Sequence, residues 1–215
     1  VRKQVAIIIP TLNAAKTLKN TLDCVAGASE IIVVDGGSAD ATLEIAAAAG
    51  ARCLRAAPGR GGQLRLGVQA ASAPYLLLLH ADTTLSPDWD AVLPAGKAGY
   101  FRLRFDTPRR AARIIEAVAA WRARFLGLPY GDQGLLLSAE LLAWAGGVPD
   151  LPLMEDVALV RRLGRRRLQR LGGTALTSAA RYERAGYLRR SLRNLSCLTL
   201  YFAGMPPAAI KKLYG

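Results

Sequence analysis

Apolar residues in the first hundred positions come in short blocks set apart by polar or glycine-rich turns. Val5 to Ile9, Glu30 to Val34 and Tyr75 to Leu79 are β-branched or leucine runs without polar alternation. Such runs fit strands buried on both faces, as in a parallel sheet. Between them, Leu18, Leu22 and Val25, an alanine-rich stretch ending at Gly50, and Leu64, Val68 and Ala71 repeat at helical spacing. Arg52 to Arg55 adds a short strand. This alternation of strand and helix predicts an α/β protein with a largely parallel first half.

The pattern changes near residue 107. Gly99 to Phe105 alternates, with Tyr100, Arg102 and Arg104 on one face, which predicts a strand with a wet side. A helix is expected from Pro108 to about Phe125, packed through Ile114, Ile115, Val118 and Trp121. Ser86-Pro87-Asp88-Trp89 reads as a helix start, with Ser as cap, Pro at the first position and an acid in the first turn. Leu135 to Leu137 is another buried run, and Ser138 caps a short helix after it. Residues 167–178 suggest two short strands around Gly172-Gly173. Arg181 to Ala203 is a basic amphipathic helix, and Met205-Pro206-Pro207 opens a last one carrying Lys211 and Lys212.

Candidate chemistry sits where buried runs end. The leucine run of Tyr75 to Leu79 delivers His80 and Asp82 to the carboxyl end of a strand, where open α/β sheets bind ligands, so Asp82 is a candidate for metal or phosphate work. Asn13 follows the first strand, as a helix cap or facing a ligand. After the second strand, Asp35 offers two acceptor oxygens for ribose hydroxyls or a base N–H, and Gly36 and Gly37 permit close backbone approach. Asp40 reads as the next helix cap. Arg60, Gly61, Gly62 and Gln63 form a glycine-rich helix start suited to an anion. Neither glycine segment has the spacing of a dinucleotide fingerprint or the ending of a P-loop. Gly131-Asp132-Gln133-Gly134 places polar groups in a loop, and Glu155-Asp156 opens a helix, where the helix dipole alone would favour acids.

Composition narrows the classes. With 215 residues, 52% hydrophobic and 21% charged, the chain can bury a full core as one domain. No apolar stretch reaches spanning length and no leader pattern opens the chain, which predicts a cytoplasmic protein. Cys24, Cys53 and Cys197 are far apart and odd in number, which predicts buried reduced thiols rather than disulfides or a zinc site. Of the net charge of +13, residues 108–215 carry 18 Lys+Arg against 7 Asp+Glu, or +11. That field favours anionic partners.

In order along the chain, Ile9-Pro10-Thr11-Leu12-Asn13, Val34-Asp35-Gly36-Gly37-Ser38-Ala39-Asp40, Leu79-His80-Ala81-Asp82 and Glu155-Asp156 resemble family 2 glycosyltransferases of the GT-A fold. Tyr130-Gly131-Asp132-Gln133-Gly134 and Met154-Glu155-Asp156 look like a compact bacterial subgroup labelled as transferases associated with radical-enzyme or selenium-related gene neighbourhoods. The resemblance implies a single GT-A domain over residues 1–215. Residues 1–107 would be a Rossmann-like nucleotide-sugar-binding half on a mixed central sheet, and residues 108–215 an acceptor-binding half ending in basic helices. It implies that Thr11, Asn13 and Asp35 hold the nucleoside and that Asp82 ligates Mg²⁺ or Mn²⁺ bridging a diphosphate. His80 stands where the family's Asp-x-Asp motif has its first Asp, which leaves one protein carboxylate on the metal. Pro10, Gly36, Gly37, Arg60, Gln63, His80, Ala81, Gln133, Glu155 and Arg181 complete the implied substrate contacts. Asp156 would be the general base for an acceptor hydroxyl, with Asp132 the second choice for base or an acceptor contact.

The implied reaction moves a sugar from a nucleotide-diphosphate sugar, a UDP-sugar by preference, to an unidentified hydroxyl with inversion. Two other classes fit the same residues. One is a nucleotidyltransferase of similar fold, which would release pyrophosphate. The other is a non-enzymatic basic module binding nucleic acid or a membrane surface. No recognised nucleic-acid motif or aromatic platform accompanies the arginines, so no nucleic-acid partner is expected. Leu188, Leu192, Leu195 and Leu198 on the basic helix raise peripheral contact with the inner face of a membrane, against packing on the domain or on a second copy in a homo-oligomer.

Overall fold

The structure is a computed structural model and describes residues 2–214. Eight strands form one mixed sheet: β1 (Val5–Thr11), β2 (Glu30–Asp35), β3 (Arg52–Arg55), β4 (Tyr75–Leu78), β5 (Thr83–Leu85), β6 (Ala98–Phe105), β7 (Leu135–Ser138) and β8 (Leu168–Thr177). Their order across the sheet is β3-β2-β1-β4-β7-β6-β8-β5. The first four strands are parallel, β7 runs antiparallel to β4 and β6, β8 runs parallel to β6, and β5 closes the edge antiparallel to β8. The helices are α1 (Leu18–Cys24), α2 (Thr42–Ala48), α3 (Arg60–Ala70), α4 (Arg110–Trp121), α5 (Ala139–Trp144), α6 (Glu155–Leu163), α7 (Ala180–Ala185), α8 (Tyr187–Phe202) and α9 (Pro207–Tyr214).

The unalternating runs are explained by burial on both faces. Ala6 and Ile8 of β1 join Val34, Leu76, Leu78, Leu64 and Leu159 in one core layer, whereas Val5, Ile7 and Ile9 join Val33, Leu77, Leu18, Leu22 and Trp89 in the other. Each fully buried Ile or Leu contributes on the order of 1.5–3 kcal/mol. The register aligns Thr11 with Asp35 at the carboxyl ends of β1 and β2. Strand order reverses between β1 and β4, and the crevice opens there.

Several expectations are corrected. Ser86 to Trp89 forms a turn rather than a helix, because the Ser86 hydroxyl accepts from Thr174 N (3.0 Å) and the Trp89 indole donates to Cys24 O (3.2 Å). Residues 168–177 are one strand; it bulges at Leu171–Gly173, where four steps along β8 face the two from Tyr100 to Arg102 of β6, with Gly173 at φ +79°. Tyr100 is buried and Arg102 is exposed, so the wet face of β6 is partial. The basic segment breaks at Gly186 (φ +82°) into α7 and α8. Cys53 is exposed on edge strand β3, whereas Cys197 is buried. Asn13 caps no helix, and the cap position of α2 is Ala41 rather than Asp40, although Asp40 accepts from Thr42 N (3.1 Å).

The largest departure is α4. It packs through Ala112, Glu116 and Ala119, leaving Ile114, Val118 and Trp121 more than half exposed. Glu116 decides the rotation. Its buried carboxylate accepts from Phe105 N (2.7 Å) and pairs with Arg104 (2.8 Å) and Arg113 (3.1 Å), a network that the small neighbouring alanines let approach the sheet.

Candidate functional site

Two clusters form at the carboxyl edge of the parallel strands. At the ends of β1 and β2, Asp35 is 1% exposed and both its oxygens are occupied. They accept from the Thr11 hydroxyl (3.0 Å), the Ser38 hydroxyl (2.5 Å), Gly37 N (2.9 Å) and Ser38 N (2.8 Å). Burial pushes this carboxyl up, and those hydrogen bonds outweigh it and hold it below the usual range. Asn13, at φ 51°, donates its N–H to Ser38 (2.8 Å) and accepts from Ala39 N (2.9 Å), tying the two strand-end loops together.

Gln63 corrects an expectation. It is buried, and its amide donates to Thr11 O (2.8 Å) and Val34 O (2.7 Å), so it fastens α3 under both strand ends rather than facing a substrate. Gly36 is packed against that amide: a Cβ there would come within 3.2 Å of Gln63 Nε2 and 3.3 Å of Pro58 Cα. Gly37 alone of the pair borders open space. The start of α3 is not open to an anion either. A Cβ on Gly61 would lie 2.5 Å from Pro149 O and 2.6 Å from Leu151 O, so the residue 149–151 loop covers it.

The second cluster lines one pocket of about 150 Å³ that includes Arg60, His80, Asp82, Asp132, Asp156 and Arg181. It is built by crossing ties. Asp156, in the first turn of α6, accepts from Gly131 N (2.8 Å) and Val157 N (2.8 Å), which joins the helix start to the residue 131–134 loop. His80 packs so closely on Gly131 that any side chain there would collide with its ring. Its Nε2 lies 3.3 Å from the Arg60 guanidinium. Arg60 can only donate, so Nε2 accepts and the ring proton resides on Nδ1. Burial and the Arg60 charge push His80 down to about 4 against the pull of Asp82 and Asp156, which makes the imidazole neutral at pH 7.

Glu155 and Gln133 stand behind this pocket rather than in it. Glu155 is 1% exposed and pairs with Arg60 Nε at 2.8 Å. Burial pushes its carboxyl up to about 7 despite the Arg60 charge, and its second oxygen has no protein partner. It therefore positions Arg60 instead of touching a ligand. Gln133 is buried, donating to Phe101 O (3.0 Å) and accepting from Tyr130 N (3.4 Å). Pro10 is buried within β1, and Ala81 offers its carbonyl to Thr21 (3.1 Å).

Asp132 is different in kind. Burial pushes its carboxyl up to about 6, with Asp156 and Asp82 adding to the rise and Arg122 opposing it. Its Oδ1 is buried without a protein partner. Asp82 pairs with Arg181 at 3.6 Å, a well exposed arginine of α7. Tyr130, read in the sequence as part of the 130–134 motif without a site role, also lines the pocket, as do Thr177, Ser178, Tyr182 and Asn194, which escaped the sequence reading. Only the Tyr130 position, beside the loop glycine, carried a signal.

Among the described residues no group of three or more His, Cys, Asp or Glu side chains could hold a metal ion alone. The donor set still fits Mg²⁺ or Mn²⁺ arriving with a diphosphate. Asp82 is an oxygen donor in the pocket, and such cations complete their shells with water and phosphate oxygens.

The fold is that of a single GT-A domain with a helical C-terminal region. Residues 6–93 match the model of Glycosyl transferase family 2. The chain is 37% identical over 84 residues to Glycosyltransferase AglJ of Haloferax volcanii, covering 37% of this chain and 28% of that protein. It is 40% identical over 98 residues to a PGL/p-HBAD biosynthesis glycosyltransferase of Mycobacterium bovis, covering 37% of this chain and 36% of that one. The chain thus spans about a third of the length of these curated relatives. Among solved structures, glucosyl-3-phosphoglycerate synthase from Mycobacterium tuberculosis with Mn²⁺, UDP-glucose and phosphoglyceric acid superposes with a TM-score of 0.66 at 21% identity, covering 95% of this chain and 81% of that one. S. aureus TarS with UDP gives 0.62 at 17% identity, covering 81% and 60%.

Proposed function

We propose that this chain is a metal-dependent glycosyltransferase that takes a sugar from a nucleotide-diphosphate sugar, a UDP-sugar by preference, and passes it to an acceptor hydroxyl with inversion. The observation that carries the reading is the convergence of Asp82, Asp132 and Asp156 with Arg60 and Arg181 in one pocket at the carboxyl ends of parallel strands. UDP-glucose with Mn²⁺ in a structure of the same fold supports the donor class. The finer likeness to the radical-enzyme and selenium-associated subgroup rests on residues 130–134 and 154–156. A cytoplasmic site of action at the inner face of a membrane belongs to the same proposal.

In this reading the nucleoside lies over Thr11, Asn13 and Gly37, with Asp35 holding the loop that receives it. Arg60 and Arg181 face the diphosphate. A divalent cation held by Asp82 would supply Lewis-acid neutralisation of the leaving diphosphate. The fixed guanidinium of Arg60, clamped by Glu155 and hydrogen-bonded to neutral His80, meets charge as it develops. Asp156 takes the acceptor proton: its carboxylate is oriented by two backbone N–H groups and remains partly open to the pocket. Asp132 contacts the acceptor.

The test is release of UDP from UDP-sugars with Mn²⁺ and a panel of hydroxyl acceptors. Asp156→Asn is expected to lower turnover at least about a hundredfold while donor binding persists. Near-normal turnover in that variant would remove Asp156 from the role of base.

A further inference from the structure

The exposed apolar stripe of α4 faces a similar one on α8. Ile114 (65% exposed) and Val118 (57%) lie across a groove from Leu188 (73%) and Leu195 (59%). The groove holds about 520 Å³, within the range of small-molecule sites. Its floor is apolar too, with Leu103 of β6 and Ala119 of α4. Large aliphatic side chains left in water on both walls of one groove call for an occupant.

Three observations select the occupant. The groove runs into the catalytic pocket, since Tyr130, Asp132, Tyr182, Asn194 and Leu198 line both cavities. At that shared end, Asp132 Oδ1 and Asn194 Oδ1 are buried acceptors without protein partners, so the junction is built for a group that donates hydrogen bonds. Beyond the junction the lining is mostly hydrocarbon, interrupted by Arg122, Tyr187 and Ser191. A flat membrane surface or a second copy of the chain would cover the outer leucines, but neither would supply a hydroxyl at the junction.

We propose that the acceptor is an amphiphile whose hydroxyl-bearing head sits at Asp132 and Asn194 and whose hydrocarbon chain lies in the groove between α4 and α8. This rests on the glycosyl-transfer reading. The head's oxygen forms the new bond to the anomeric carbon as the bond from that carbon to the diphosphate oxygen breaks. The hydroxyl proton passes to Asp156, and the nucleoside diphosphate leaves with the electron pair.

The experiment is equilibrium binding of a fluorescent monoacylglycerol, below its micellar concentration, to the full chain and to Val118→Gln and Leu195→Gln. Both positions are exposed, so neither substitution removes core. Binding of UDP with Mn²⁺ is measured on the same samples. The expected result is saturable binding of the amphiphile, weakened about tenfold or more by either substitution, with UDP binding unchanged. No saturable binding, or binding that both variants retain, overturns the proposal. So does sedimentation of the wild type as a dimer that both variants dissolve without any amphiphile bound, or adsorption to anionic vesicles alone. If the amphiphile binds in the groove and UDP does not bind at all, the glycosyl-transfer reading fails and the groove remains a lipid site.

Discussion

Replacing Asp132 with Asn separates the stability of the fold from the work of the site. In the folded protein burial lifts this carboxyl to about 6. An unfolded Asp titrates near 3.9, so at about 1.36 kcal/mol per unit the ionised side chain costs the native state about 3 kcal/mol at alkaline pH. The sign follows from proton counting. Between the two values the native state binds more protons than the unfolded state, so this contribution is most favourable below about pH 4 and is lost as pH rises through 6. About 1.4 kcal/mol of that loss falls between pH 5 and pH 7.5. Asn cannot ionise, so Asp132→Asn should gain on the wild type by about that amount across the interval. Urea denaturation of both proteins at about pH 5 and pH 7.5, in chelator and without nucleotide, measures it. Glu155 and His80 titrate in both proteins and drop out of the difference to first order. Parallel stability curves for the two proteins would refute the argument that Asp132 is held in an unfavourable, unpaired position for function.

Other outcomes follow from the ties around the pocket. Glu155→Gln weakens the clamp on Arg60 by roughly 1.5–3 kcal/mol, so donor KM is expected to rise at least about tenfold with a smaller change in kcat; steady-state kinetics over donor concentration would check this. Gln63→Ala removes donors from Thr11 O and Val34 O and should cost about 2–3 kcal/mol of stability, read as a lower urea midpoint at unchanged slope.

The parallel half of the fold was legible because its strands are buried on both faces, and an unbroken apolar run has few other readings. The same logic placed Asp82 and His80 at a strand end. What the pattern could not supply was orientation. Helix α4 carries two apolar stripes, and the larger residues Ile114 and Val118 were the natural choice for the core. The choice fell instead to Glu116, whose partners Arg104 and Phe105 N lie on a neighbouring strand. Likewise Gln63, Gln133 and Glu155 were recognised as polar residues beside a site, yet their hydrogen bonds run to backbone or Arg60 far along the chain. Ser86 looked like a helix cap because its partner Thr174 lies 88 residues away. Tyr182 and Asn194 reach the pocket only because the chain breaks at Gly186 and folds α8 back, a tertiary event without a local signature.

The most direct test is calorimetric titration of UDP into the protein with and without Mn²⁺, on the wild type and on Asp82→Ala. The account predicts binding that tightens when Mn²⁺ is present and loses that dependence in Asp82→Ala, a variant that keeps the backbone bond from Ser178 N to the residue 82 carbonyl (3.1 Å). Equal UDP affinity in the two proteins under both conditions would contradict the assignment of Asp82 to the cation. The absence of any UDP binding by the folded wild type would contradict the proposed donor.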